Sequence, residues 1–236
     1  MNMNMNPNSE LVQSAVNVPN LVQVPEALIS QAQEFQIAMM MYTCAIREVK
    51  TKLEVLNDEL SVRNQRNPIE MIKSRVKKPV SIVEKLNRRN LPLSLESMLL
   101  NLDDVAGIRV ICSFVDDIYA VANMLVSQDD ITIVAIKDYI KHPKPNGYRS
   151  YHLIIEIPVF FSEEKRSMRV EVQIRTIAMD FWASLDHQLK YKKDIGDAAD
   201  LISEELRQCA EVIAQTDQRM LQIRQSIEVP GGSANN

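Results

Sequence analysis

The chain has 236 residues, 46% of them apolar, enough for one compact domain that buries roughly 70–75% of the surface its unfolded form exposes. Lys and Arg number 27 against 31 Asp and Glu, a net charge of −4 that does not suit non-specific coating of duplex nucleic acid, so an anion site must be local. The most apolar stretches, Ile37 to Met41 and Val170 to Ile174, fall far short of the ~20 residues a membrane-crossing helix needs, and Met1 to Asn8 has neither the basic patch nor the apolar core of a secretion signal.

Residues 1–25 carry Asn repeats and Pro7, Pro19 and Pro25 without a sustained period, and read as a disordered tail. From Ala27 to about Arg63, Ile37, Met40, Met41, Ile46, Val49, Leu53, Leu56 and Leu60 recur three and four apart, which predicts a long amphipathic helix. Asn67-Pro68 then predicts a second helix, with proline at its first position, running to about Arg89. A short helix over about Ser94 to Leu100 precedes a β-branched run, Gly107 to Phe114, of strand length. A helix over Asp116 to Val126 and a strand over Ile131 to Tyr139 follow, and the composition of Lys141 to Gly147 predicts a loop. Tyr151 to Phe160 and Met168 to Arg175 read as strands, the latter with Arg169, Glu171, Gln173 and Arg175 on one face and Val170, Val172 and Ile174 on the other. Helices over about Ile177 to Tyr191 and Ala198 to Ile227 close the fold before a flexible tail, 229–236. The expectation is an α+β domain over 26–228, a sheet of at least four strands flanked by helices.

The five glycines, Gly107, Gly147, Gly196, Gly231 and Gly232, are too scattered for a phosphate-cradling loop, so nucleotide phosphates would have to be held by side chains and metal. Cys44, Cys112 and Cys209 show neither zinc nor disulfide spacing and read as free thiols.

Three segments carry candidate chemistry. Between Lys73 and Arg89 lie seven basic residues and one acid, and on a helix Lys77, Ser81, Lys85 and Arg88 would share a face suited to a polyphosphate. A solvated basic helix is the alternative. The loop Lys144-Pro-Asn-Gly-Tyr-Arg-Ser150 crowds a cation, an amide, an aromatic ring and a guanidinium around a glycine, beside the polar strand face; Tyr148 suits a base, and Lys144 and Arg149 suit phosphate. An ordinary surface turn is the alternative there. Asp103-Asp104, ahead of Gly107, offers with a glutamate on another strand the one or two carboxylates with which Mg²⁺ is usually held.

The ordered set Ser74-Arg-Val-Lys77, Ser81-Ile-Val-Glu-Lys85, Asp104-Val-Ala-Gly-Ile-Arg109, Lys137-Asp-Tyr-Ile140, Pro143 to His152 and Glu171-Val-Gln-Ile-Arg-Thr176 resembles the alarmone synthetases of the RelA/SpoT family, over about residues 68 to 192. Through Ile177 to His187 it is most similar to their small, RelP-type members. The resemblance implies a mixed sheet of nucleotidyltransferase kind and transfer of the β,γ-pyrophosphate of ATP to the 3′-hydroxyl of GDP or GTP, releasing AMP. It implies Asp104 and Glu171 as Mg²⁺ ligands and catalytic groups, with Arg75 and Arg109 on either side of adenine. Lys77, Ser81, Lys85 and Arg88 would hold the donor phosphates. Tyr148 would stack on guanine, with Lys137, Lys144, Asn146, His152, Gln173 and Arg175 completing the acceptor side.

The resemblance also implies a cytoplasmic homotetramer without a membrane partner, with regulation by its product or by RNA left open. None of His142, His152 and His187 is followed by Asp, so the hydrolase site of long family members is not expected. The rival reading is a catalytically weak nucleotide-binding or RNA-binding regulator on the same scaffold.

Overall fold

The computed structural model describes residues 26–64, 66–191 and 199–228; the predicted tails 1–25 and 229–236 lie outside these. In chain order the elements are α1 (Glu26–Asn64), β1 (Ile69–Val76), α2 (Pro79–Arg88), α3 (Leu95–Asn101), β2 (Ala106–Cys112), α4 (Val115–Val126), β3 (Thr132–Asp138), β4 (Tyr151–Phe160), β5 (Lys165–Thr176), α5 (Ile177–Tyr191) and α6 (Ala199–Glu228). The five strands form one mixed sheet in the order β1-β2-β5-β4-β3, with only the central β2–β5 pair parallel.

The predicted second helix is corrected. Its first half is the edge strand β1, and the helix begins only at Pro79, the proline at a helical N-terminus. Asn67-Pro68, which predicts a helix start, instead stands directly ahead of a strand that carries a bulge between Ile69 and Met71. The bulge puts the inward positions Ile69 and Ile72 three apart instead of two or four, and Val76 follows at the even spacing of a strand. Lys77 therefore lies ahead of α2, and its N–H bonds Val105 O at 2.8 Å, while Ser81, Lys85 and Arg88 ride on α2 itself.

One sheet face is apolar. Val170, Val172 and Ile174 of β5 and Ile108 and Val110 of β2 join a core closed by Tyr42, Ala45, Val49 and Leu53 of α1 and Ile118, Val121 and Leu125 of α4. Met41, Ile46, Val49 and Leu53 of the predicted α1 stripe are buried, whereas Ile37 and Met40 stay about half exposed. The opposite face is polar. Following the strand pairing, Lys73, Arg109, Gln173, His152 and Lys137 form one row across all five strands, and Arg75, Gly107 and Glu171 form the row beside it. Because side chains alternate across a strand, a buried apolar face forces these polar residues onto one open surface.

Candidate active site

Two adjoining cavities open on the polar face. The smaller, about 160 Å³, is lined by Arg75, Asp104, Gly107, Arg109, Glu171 and Gln173, among others. The larger, about 620 Å³, shares Arg75, Arg109 and Gln173 with it and adds Tyr148, Arg175 and part of α5. A third cavity of about 430 Å³, between α1, α2 and α3, has Glu34 and Glu96 in its wall but no Lys or Arg to meet a phosphate.

Asp104 sits in the turn before β2, where Lys77 and Lys85 reach its Oδ2 at 3.0 and 2.7 Å. Burial pushes its pKa up, but the two ammonium groups outweigh burial and hold it below the ordinary 3.8, so the carboxylate is ionised at neutral pH. Its Oδ1 is buried without a hydrogen-bond partner among the described residues. That orphan oxygen, in the cavity that Glu171 also lines, fits one Mg²⁺ held by two carboxylates, with substrate phosphates filling the remaining positions.

Glu171, on β5, is held at both oxygens. His152 Nδ1 lies 3.2 Å from Oε1, and Gln173 Nε2 donates to Oε2 at 2.8 Å. Burial pushes the Glu171 pKa up, but the hydrogen bonds from His152 and Gln173 prevail and it lies below its usual 4.5. Burial lowers the His152 pKa, with Arg175 and Lys144 adding to it, so the imidazole is neutral at pH 7. A proton on Nδ1 then donates to Glu171, and Nε2 accepts from the Tyr148 hydroxyl at 2.9 Å.

The loop from Lys144 to Ser150 is built around a turn. Gly147 N donates to Lys144 O at 2.8 Å across Pro145 and Asn146, and Gly147 takes φ +85°, a left-handed conformation that favours glycine. Asn146 Oδ1 accepts from Tyr148 N at 3.3 Å. The Lys144 ammonium sits 4.7 Å from the ring centres of both Tyr139 and Tyr148, and the Arg175 guanidinium lies 5.1 Å from the Tyr148 ring. Behind the loop stands α6. A Cβ on Gly147 would lie 2.5 Å from Ala210 Cβ, and Tyr148 packs against the cluster of Trp182, Leu206 and Ala210.

The fold thus brings Arg75, Asp104, Arg109, Tyr148, Glu171, Gln173 and Arg175 to the cavity walls, with Lys77, Lys85 and His152 bonded to wall residues. Ser81 and Arg88 line neither cavity; they lie on α2 four residues before and three after Lys85, which keeps them on its face. Lys137 is exposed on β3 opposite His152. Arg175 proves to be interior, 3% exposed, with four of its donor hydrogens committed: Nε to Ser150, Nη1 to Asp180, and Nη2 to Gln173 and the Tyr148 hydroxyl. Sequence reasoning missed Asp180, Ser150 and the α6 backing, because tertiary packing brings them in: Asp180 meets Arg109 from 71 residues away, Ser150 meets Arg175 from 25 away, and α6 meets the loop at Gly147.

The region found in RelA/SpoT proteins matches residues 74–196. The GTP pyrophosphokinase YwaC of Bacillus subtilis (strain 168) is 42% identical over 196 residues, covering 83% of this chain and 93% of that protein. GTP pyrophosphokinase YjbM of the same organism is 38% identical over 188 residues, covering 79% and 87%. Among solved structures, small alarmone synthetase 1 from Bacillus subtilis bound to its product pppGpp superposes with a TM-score of 0.75 at 35% identity, covering 83% of this chain and 99% of that one. Small alarmone synthetase 2 from the same organism gives 0.73 at 43% identity, covering 82% and 99%. With these relatives matched over nearly their whole length and the carboxylates and guanidiniums gathered on one sheet face, the chain belongs to the RelA/SpoT family as a small alarmone synthetase.

Proposed function

We propose that the two adjoining cavities are the donor and acceptor subsites of a GTP pyrophosphokinase, in which the β,γ-pyrophosphate of ATP moves to the 3′-hydroxyl of GDP or GTP and AMP leaves. The observation that carries this assignment is the shared wall. Arg75, Arg109 and Gln173 border both cavities, so two nucleotides would meet beside Asp104 and Glu171. The donor adenine fits between the guanidinium planes of Arg75 and Arg109, which stack on a base as an ammonium cannot. Lys77, Lys85, Ser81 and Arg88 take the phosphates, the two lysines turning from Asp104 to the incoming charge. Guanine stacks on Tyr148, with Lys144, Lys137 and Asn146 at its ribose and phosphates.

Glu171, fixed by His152 and Gln173, accepts the hydrogen bond of the 3′-hydroxyl and takes its proton as the oxygen attacks the β-phosphorus. The bond from that phosphorus to the α,β-bridging oxygen breaks, and AMP carries that oxygen away. A carboxylate of lowered pKa is a weak base, so positioning and charge neutralisation supply most of the rate. Mg²⁺ held by Asp104 and Glu171 would supply the positive charge that the donor phosphates need.

Self-association as a homotetramer is supported by apolar residues left exposed along α1, among them Leu28, Ile29, Ile37 and Met40. Among the described residues no helix is long and apolar enough to cross a membrane, in keeping with a cytoplasmic site of action. Purified protein with ATP, GDP and Mg²⁺ tests the reading: AMP and 3′-pyrophosphorylated GDP should form together. Binding of both nucleotides without AMP would instead favour the regulator.

A further inference from the structure

Asp180 lies in the Ile177 to His187 stretch, to which no role at the substrate site is assigned above, and it bonds two arginines that line the larger cavity. It lies in the first turn of α5, where a carboxylate is favoured by the helix dipole. Its mount is rigid. Thr176, the last residue of β5, caps α5 by accepting Met179 N at 3.1 Å, and its hydroxyl donates to Asp217 of α6 at 2.6 Å. One oxygen, Asp180 Oδ1, accepts from Arg109 Nη1 at 3.0 Å and from Arg175 Nη1 at 3.2 Å.

Those two arginines serve different substrates. Among the described residues, Asp180 is the sole hydrogen-bond partner of the Arg109 side chain, the guanidinium assigned above to the donor adenine. Arg175 is buried beneath Tyr148 and holds its hydroxyl, on the acceptor side. Without a counter-charge, guanidiniums this close repel: Arg75 and Arg175 both act against the charge of Arg109, and Asp180 acts for it.

We propose that Asp180 is a positioning residue that fixes the adenine-facing plane of Arg109 and the Tyr148-supporting plane of Arg175 through one carboxylate oxygen, so that donor and acceptor subsites are set together. The proposal rests on the reading of the cavities as ATP and GDP subsites. It predicts that removing a group that touches neither nucleotide weakens both.

The test is calorimetric binding of α,β-methylene-ATP and of GDP, each alone, to wild type, Asp180→Ala, Asp180→Asn, Arg109→Ala and the Arg109→Ala/Asp180→Ala double variant. Asp180→Ala should weaken each nucleotide about tenfold, the scale of lost charge-assisted hydrogen bonds. Asp180→Asn keeps an accepting oxygen of the same shape and should fall between. In the Arg109→Ala background the loss toward α,β-methylene-ATP should vanish while the loss toward GDP persists. In turnover, both KM values should rise while kcat changes by less than about threefold. Asp180→Ala that binds both nucleotides like wild type overturns the proposal, as does a donor loss undiminished in the Arg109→Ala background, the mark of general loosening. Wild type that binds neither nucleotide overturns the subsite reading itself, and is seen before any variant is made.

Discussion

The proposed donor and acceptor halves of the site are assembled by opposite means. The donor half comes from one continuous stretch, residues 73 to 109, and is held by charge: Lys77 and Lys85 rest on Asp104, while Arg75 and Arg88 are exposed. The acceptor half draws on β4, β5, α5, α6 and the loop between β3 and β4, and is held by packing. Tyr148 is enclosed by Lys144, Arg175, His152 and the α6 cluster before any substrate arrives. Cations that trade one partner for another suit a flexible polyphosphate, and a fixed aromatic face suits a flat base. Substitutions in the donor half should therefore act on charge, and those in the acceptor half on geometry.

The largest effect is expected where the halves meet. Asp104→Asn and Glu171→Gln should each lower turnover by at least ~10²-fold, since charge stabilisation dominates pyrophosphoryl transfer. The melting temperatures separate them. Asp104→Asn strips two lysines of their shared partner, whereas Glu171→Gln keeps a polar group of the same shape between His152 and Gln173. Steady-state rates beside thermal melts check both, and a near wild-type rate in either would remove that residue from the chemistry.

Next is Tyr148. Tyr148→Ala should raise KM for GDP at least tenfold and leave KM for ATP nearly unchanged, since stacking on an aromatic face is worth roughly 1–3 kcal/mol. Tyr148→Phe keeps the face but frees Arg175 Nη2 and His152 Nε2 from the hydroxyl, so it should lower kcat several-fold at little cost in KM. Equal losses for both nucleotides in the alanine variant would refute the asymmetry of the halves.

Gly147→Ala is a purely geometric break. The position needs φ +85° and has no room for a methyl beside Ala210, so the loop must move off α6. GDP affinity should drop several-fold with ATP affinity unchanged, roughly the effect of 1–2 kcal/mol of strain. Adding Ala210→Gly relieves the contact but not the backbone, so it should restore only part. Full recovery would place the whole cost in the contact and none in the turn.

How much of this was readable in the sequence follows the same division. The alternation over Met168 to Arg175 placed Glu171 and Gln173 on the open face, and the composition of Lys144 to Ser150 marked the acceptor loop, because each is a local pattern. Asn67-Pro68 stands ahead of an edge strand and not of a helix, so the stripe Lys77, Ser81, Lys85, Arg88 is a residue just past the strand plus one helix face. On α6, Leu206 and Ala210 find their partners in Trp182 and Tyr148 of the loop before β4. Leu201, Met220 and Ile223 of the same helix stay exposed. No local pattern announces a contact such as Gly147 with Ala210, because tertiary packing alone creates it.

The smallest expected effect is in stability, and its sign follows from His152. Burial, Arg175 and Lys144 lower the His152 pKa below 6.5, against the opposing pull of Glu171, with Tyr139 and Tyr148 as its remaining ring neighbours. Between the folded value and 6.5 the unfolded chain binds more protons than the folded one, so stability rises with pH through that window. The contribution is complete above 6.5 and is lost as pH falls below it. Glu171 and Asp104, with folded pKa values below 4.5 and 3.8, keep their contributions until the pH drops well beyond. His152→Gln removes the titrating group while leaving an amide beside Glu171. From pH 7.5 to 5.5 the wild-type melting temperature should therefore fall more than that of the variant, by on the order of a few degrees. Parallel melting curves would mean that the imidazole is as well solvated in the folded chain as in the unfolded one, and that the acceptor half is looser than its packing indicates.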